Sequence, residues 1–239
     1  MWQAHVLTAF PQMFPGALGF SNVGKALENG LWSLKAHDLR QFTTSRYGSI
    51  DDTPFGGGAG MVICPQIVAD CMDSLIASPE NSHLSRIYVS PKGKPFTTER
   101  AKELSRGHGA IILCGRYEGV DQRVVDAYDF EEISIGDYVI SGGELASHVL
   151  LDATVRLLPK VLGAADSLTE ESFEQSLLEY PQYTRPAAWQ NHGREIKVPE
   201  VLLSGHHARI AQWRLQQSET VTLKVRPDLF TRYQARKQN

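Results

Sequence analysis

Strand-like and helix-like stretches alternate along the first two thirds of the chain, and this alternation is what most limits the fold. Residues 2–7 and 31–39 read as strands, separated by a helix that Ser21 or Asn22 can cap and Gly30 can end. Residues 65–77 form a helical pattern with proline in its first turn, followed by a strand at 86–90 and a helix near 97–106. A strand at 110–114, a short helix from Asp121, a strand at 130–135 and a longer helix at 143–157 complete the series. Strands joined through helices run parallel, so an α/β fold is expected, with a mostly parallel sheet covered on both faces. Past Pro159 the pattern lapses. Residues 163–175 are small and acidic and read as a linker, and helical segments return at 204–217 and 226–237, with Ile210, Trp213 and Leu215 able to face a core. The expected organisation is an α/β domain over 1–162, a flexible linker over 163–180, and a small helical domain over 181–239.

The chain has 239 residues, of which 42% are hydrophobic and 21% charged, enough for a core that needs no covalent staples. No apolar run reaches the roughly 20 residues of a membrane helix, and no secretory signal is visible at the start. Its three cysteines, Cys64, Cys71 and Cys114, are an odd number with no CxxC pair, which argues against a disulfide framework or a cysteine zinc site and fits a cytoplasmic protein. The net charge of −3 conceals an asymmetry. Residues 181–239 carry ten Lys/Arg against four Asp/Glu, while the rest of the chain is acidic. A basic region on an acidic body suits one part gripping phosphates while another does something else; a basic solvated surface is the plainer alternative.

Glycine is concentrated in three loops, DDTPFGGGAGM (51–61), CGRYEGVD (114–121) and SIGDYVISGGEL (134–145). Glycine lets a ligand approach main-chain groups directly, and ligands in open parallel sheets sit beyond the carboxyl ends of the strands, where the second and third loops fall. Gly56, Gly58 and Gly60 formally match a nucleotide fingerprint, but Asp51, Asp52, Thr53 and Pro54 precede them instead of a buried strand, so a dinucleotide site is not expected. The chain has no P-loop, no HExxH and no nucleophile elbow.

Together, SPKGKPF (90–96), CGRYEGVDQR (114–123), SIGDYVISGGEL and YPQYTRP (180–186) resemble the bacterial tRNA (guanine-N1)-methyltransferase family, TrmD. The glycine loop at 51–61 and the later VPEVLLSG and RIAQWR segments agree with it in order, so the resemblance runs end to end. It implies a SPOUT-type parallel sheet with a trefoil knot towards the C-terminal end of the main domain, which periodicity alone does not reveal. It also implies S-adenosylmethionine held by three loops. By motif these contribute Tyr88, Val89, Ser90 and Pro91, then Gly115, Tyr117, Glu118 and Gly119. The third contributes Ser134, Ile135, Gly136, Asp137, Tyr138, Val139 and Ile140, with Gly142 and Gly143. Ile135, Val139 and Ile140 also suit core packing, and an adenine slot needs apolar walls in any case.

The implied reaction methylates N1 of the guanosine at tRNA position 37, beside the anticodon, and helps to maintain the reading frame. Guanine N1 bears a proton that a carboxylate must remove, and the charge that develops on O6 suits a guanidinium. By resemblance the arginine is Arg156, whose plainer role is a surface pair with Asp152. The base is the carboxylate before a Ser-Phe pair, an aspartate in the family but Glu171 here, in TEESF (169–173). Asp52 matches an acid that helps to place the guanine, although Asp before Thr-Pro also suits a simple turn. Glu118 and Asp137 are candidates to hold the cofactor's amino group or magnesium, which the resemblance implies without specifying ligands. A homodimer with sites shared between chains is expected, as are phosphate contacts from Arg185, Arg194, Lys197, Arg209 and Arg214. The alternatives are a knotted methyltransferase acting on a ribose 2′-oxygen, and an RNA-binding protein without catalysis.

Overall fold

The structure is a computed structural model that describes residues 1–162, 172, 173 and 175–238. The chain divides into two compact units, Met1–Gly163 and Ala164–Asn239.

The first unit is built on β1 (Trp2–Thr8), α1 (Ser21–Glu28) and β2 (Trp32–Asp38), then a small antiparallel pair, β3 (Asp51–Asp52) and β4 (Val62–Ile63). It continues through α2 (Pro65–Ile76), β5 (Ser85–Pro95), α3 (Thr98–Arg106), β6 (Gly109–Cys114), α4 (Gln122–Ala127), β7 (Glu131–Ser134) and α5 (Gly143–Val155). The main sheet has the order β2-β1-β6-β5-β7, and all four pairings are parallel. Its central strand, GAIILC, is buried throughout, as a strand covered on both faces should be. The period of two sorts its side chains: Ala110, Ile112 and Cys114 join one core with Trp2, Trp32, Leu150 and Leu151, while Ile111 and Leu113 join the other with Ile67, Met72 and Val124.

Three helices start where local chemistry allows, whereas α1 is preceded by Phe20 with no side-chain cap, so Ser21 and Asn22 lie inside the helix instead of capping it. Pro65 opens α2 in the turn where its missing N–H costs nothing. Thr97 Oγ1 accepts from Arg100 N at 3.3 Å to cap α3, and Asp121 Oδ1 accepts from Arg123 N at 2.9 Å to cap α4.

One strand departs from expectation in a way that matters for the site. β5 does not end at residue 90 but runs to Pro95, with an interruption: Val89 and Lys94 both lie opposite Ile133. The intervening Ser90–Gly93 segment is an excursion from the ladder, a bulge of the kind that redirects side chains. Only glycine fits at 93, because a Cβ there would lie 2.4 Å from the main-chain carbon of Glu132.

The second unit contains more than the expected helices. β8 (Ala188–Asn191) and β9 (Arg194–Lys197) form an antiparallel hairpin, followed by α6 (Glu200–Leu203), α7 (His207–Val225) and α8 (Pro227–Gln238). His192 and Gly193, with φ of 50° and 78°, make the two-residue turn that such hairpins favour. The buried positions of α7 are Ser218 and Thr222, and Leu215, expected in a core, is exposed. The seam runs through Thr222, whose Oγ1 accepts from Leu178 N at 2.8 Å. Of the expected linker, residues 163–171 and 174 lie outside the described residues; Ser176 and Leu177 are buried.

Candidate functional site

At the carboxyl ends of β5, β6 and β7 lies a cleft of about 290 Å³. Three segments line it: the excursion in β5, the loop after β6 and the loop between β7 and α5. Every cofactor-binding candidate named from the sequence lies on its wall, from Tyr88 to Pro91, from Gly115 to Gly119 and from Ser134 to Gly143, with the exception of Asp137, which is exposed and outside the lining. The apolar part of the wall comes from Val89, Ile133, Ile135, Val139, Ile140 and Ala146.

The glycines explain how three loops come so close. A Cβ at Gly143 would lie 2.8 Å from Cys114 Cα and 3.0 Å from Gly115 N, and Gly143 N donates to Gly115 O at 2.9 Å. The start of α5 thus rests directly on the end of β6. Tyr88 is seated beneath the second loop, its hydroxyl 2.9 Å from where a Cβ would stand on either Gly115 or Gly119. Burial raises the Tyr88 phenol above its ordinary pKa, keeping it neutral. Tyr117 holds a φ of 58°, a conformation a non-glycine residue rarely adopts and one that clusters at functional sites.

A charge pair with one fully buried partner fastens the second loop to the third. Glu144, in the first turn of α5, is fully buried, and its Oε1 accepts from Thr8 Oγ1 at 2.7 Å. Its Oε2 lies 3.0 Å from Arg116 Nη2, near enough for an ion pair although not aligned as a hydrogen bond. The carboxylate also sits where the helix dipole favours negative charge. Arg116 donates to Ser141 O at 3.2 Å and lies over the Phe10 ring at 4.3 Å. Gly142 makes room for it, since a Cβ there would lie 2.3 Å from Arg116 Nε. Sequence reasoning missed Thr8, Arg116 and Glu144. Both charged residues stand inside recognised motifs, but nothing in their spacing reveals that a half-buried arginine meets a fully buried glutamate.

The first glycine loop joins the same site by its end. Glu118 N donates to Met61 O at 2.9 Å, Ile63 N to Gly119 O at 3.0 Å and Asp121 N to Ile63 O at 3.1 Å. Glu118 packs on Gly60, where a Cβ would lie 2.4 Å from its carboxylate oxygen. Asp52 is exposed outside the cleft lining, and its Oδ1 accepts from Thr53 N at 2.7 Å, the turn contact its sequence suits.

The other candidates are placed elsewhere. Arg156 is the half-buried residue that closes the far end of α5, and its N–H donates to Asp152 O at 3.1 Å. Glu171 lies outside the described residues. In the second unit Arg185, Arg194, Lys197 and Arg209 are exposed; Lys197 pairs with Glu195 at 2.9 Å and Arg214 lies 4.8 Å from the Tyr180 ring centre. Among the described residues no group of three or more His, Cys, Asp or Glu could hold a metal ion, and no helix is long and apolar enough to cross a membrane.

A family model described as tRNA (Guanine-1)-methyltransferase TrmD matches residues 2–232. A protein of Cereibacter sphaeroides named tRNA (guanine-N(1)-)-methyltransferase is 54% identical over 97% of this chain and 92% of its own length. Proteins of the same name from Ruegeria pomeroyi and Mesorhizobium japonicum are 51% and 54% identical, covering 99% and 96% of this chain and 96% of each relative.

The charge pair yields a direct prediction. Arg116→Met strands the Glu144 carboxylate in the core and should lower the unfolding free energy by about 3–5 kcal/mol, whereas the Arg116→Met/Glu144→Gln double variant should recover part of that loss. Urea unfolding of the two single variants and the double variant measures the coupling, and additive effects would show that the pair does not act as a unit.

Proposed function

This chain belongs to the tRNA (guanine-1)-methyltransferase family TrmD, and we propose that it methylates N1 of the guanosine at tRNA position 37, 3′ of the anticodon, using S-adenosylmethionine. The carrying observation is the cleft: the three loops whose motifs match the family converge on one cavity. The chain would act in the cytoplasm, on tRNA, and so help to hold the reading frame. The strand order, with β6 and β7 flanking β5 and α5 returning to the end of β6, supports a trefoil knot in the domain over 1–162. The C-terminal domain over 181–239 would grip tRNA phosphates through its basic residues, across a linker at 163–180.

The cleft fits the proposed cofactor. Gly115, Gly142 and Gly143 lie in its wall and leave their main-chain groups uncovered by side chains of their own, and isoleucine and valine side chains offer an apolar slot for a planar base. Glu118, at the edge, is suited to an ammonium group. When bound, S-adenosylmethionine supplies an electrophilic methyl on its sulfonium. The chain's own work is to bring the guanine into position and to activate it. Glu171 accepts the N1 proton as general base, and the Arg156 guanidinium stabilises the charge that develops on O6. Asp52 helps to place the guanine.

The length of α5 bears on which chain supplies Arg156. The helix has 13 residues, and its first turn lines the cleft while Arg156 closes the other end, about 20 Å away at ~1.5 Å per residue. An arginine side chain does not span that distance, so Arg156 would serve the cleft of a second copy in a homodimer with shared sites. Leu145 and Val149, four residues apart on α5, are 54% and 49% exposed and offer an apolar stripe for that contact.

Methyl transfer from labelled S-adenosylmethionine to an unmodified tRNA transcript should give 1-methylguanosine at position 37; a ribose methyl in its place would favour the 2′-oxygen reading. Glu171→Gln should bind cofactor and tRNA nearly normally but methylate about 100-fold or more slowly in single turnover, while Glu171→Asp retains far more activity. A Gln variant within about threefold of wild type would remove Glu171 from its role. Mixing an Ile135→Trp chain, whose cleft is filled, with an Arg156→Ala chain should restore roughly a quarter of the sites if each site draws on both chains. Verified mixed dimers without activity would place Arg156 and the cleft of one site in the same chain.

A further inference from the structure

The first glycine loop carries a residue that neither the fold nor the proposed chemistry uses. Phe55 is 99% exposed, more than any other large hydrophobic side chain among the described residues. It stands at the tip of a tight turn in which Gly57 N donates to Pro54 O at 3.3 Å, and the following Gly56 takes the positive φ of 89° such a turn requires. The base of the loop is held by the pairing of Asp51 with Ile63 and Asp52 with Val62, and Ile63 is bonded in turn to the second cofactor loop. Gly60, which packs on Glu118 at the cleft, is five positions along from Phe55, so the Phe55 Cα lies within about 18 Å of the Gly60 Cα even on a fully extended chain. The exposed ring is therefore carried by a braced turn beside the cleft.

We infer that Phe55 is a stacking platform for a tRNA base that neighbours the target guanine. The inference rests on the tRNA reading above and adds a positioning residue to it. A base reached for chemistry must leave its stack, and its departure uncovers the faces of the nucleotides on either side. An aromatic ring covers such a face whatever the base, and does so at little cost when a turn already fixes its place. The braced turn accounts for the neighbour rather than the target: the target must enter the cleft, which Phe55 does not line.

The test compares wild type with Phe55→Ala, Phe55→Leu and Phe55→Tyr in tRNA binding and single-turnover methylation at saturating cofactor. Phe55→Ala should lose roughly ten- to hundredfold in tRNA affinity or rate, Tyr should stay within about threefold of wild type, and Leu should behave as Ala. Melting temperature and S-adenosylhomocysteine affinity should not move. A double-mutant cycle against transcripts made abasic on the 5′ or the 3′ side of the target supplies the readout that a structural role would leave unchanged. With one of these transcripts, Phe55→Ala should add no further loss. Additive losses on both transcripts, an Ala variant within about threefold of wild type, or rescue by Leu would overturn the inference. Wild-type protein that leaves tRNA unmethylated would instead overturn the functional reading on which it rests.

Discussion

The Arg116–Glu144 pair and the glycine contact beside it set the shape of the cleft. Glu144 brings a full negative charge into the core at the start of α5, and it is tolerable there because Thr8 donates to one oxygen and Arg116 faces the other. Arg116 can face it only because Gly142 has no side chain, and α5 can approach β6 only because Gly143 has none. The pair is thus less a source of net stability than a means of choosing one arrangement of two loops, since a mismatched register would leave a charge buried alone. The third wall, Ser90–Gly93, depends on a similar device, a glycine that lets the excursion in β5 lie against β7.

This arrangement explains how much of the molecule was legible in the sequence. Alternating apolar segments and helix starts such as Pro65 and Asp121 sufficed for the parallel sheet, because they follow from local rules. The hairpin at 188–197 was missed because its signal, His192-Gly193 between short strands rich in polar residues, lacks the alternation that marks a half-buried strand. Leu215 was expected in a core because it is apolar; the buried seam instead passes through Ser218 and Thr222, where a hydroxyl bonded to the backbone outweighs greasiness. β5 was cut short at Ser90 because Ser-Pro-Lys-Gly reads as a turn, and only pairing with β7 shows that the strand resumes.

The cleft was legible through motifs rather than through physics. Three glycine loops announced close approach, but which loop meets which depends on strand order, and strand order is not periodic information. Asp137 belongs to the same motif as its neighbours yet is exposed and lies outside the cleft lining, so a contiguous motif need not be a contiguous surface. Thr8 and Glu144 are 136 residues apart and meet only because α5 returns to the end of β1, so no local pattern could have joined them.

Amide hydrogen exchange with and without S-adenosylhomocysteine would test most directly whether these loops form one cofactor site. The structure predicts that the ligand slows exchange together in residues 88–93, 115–119 and 134–143, while 188–197 remains unchanged. Protection confined to a single loop, or appearing outside all three, would contradict the account.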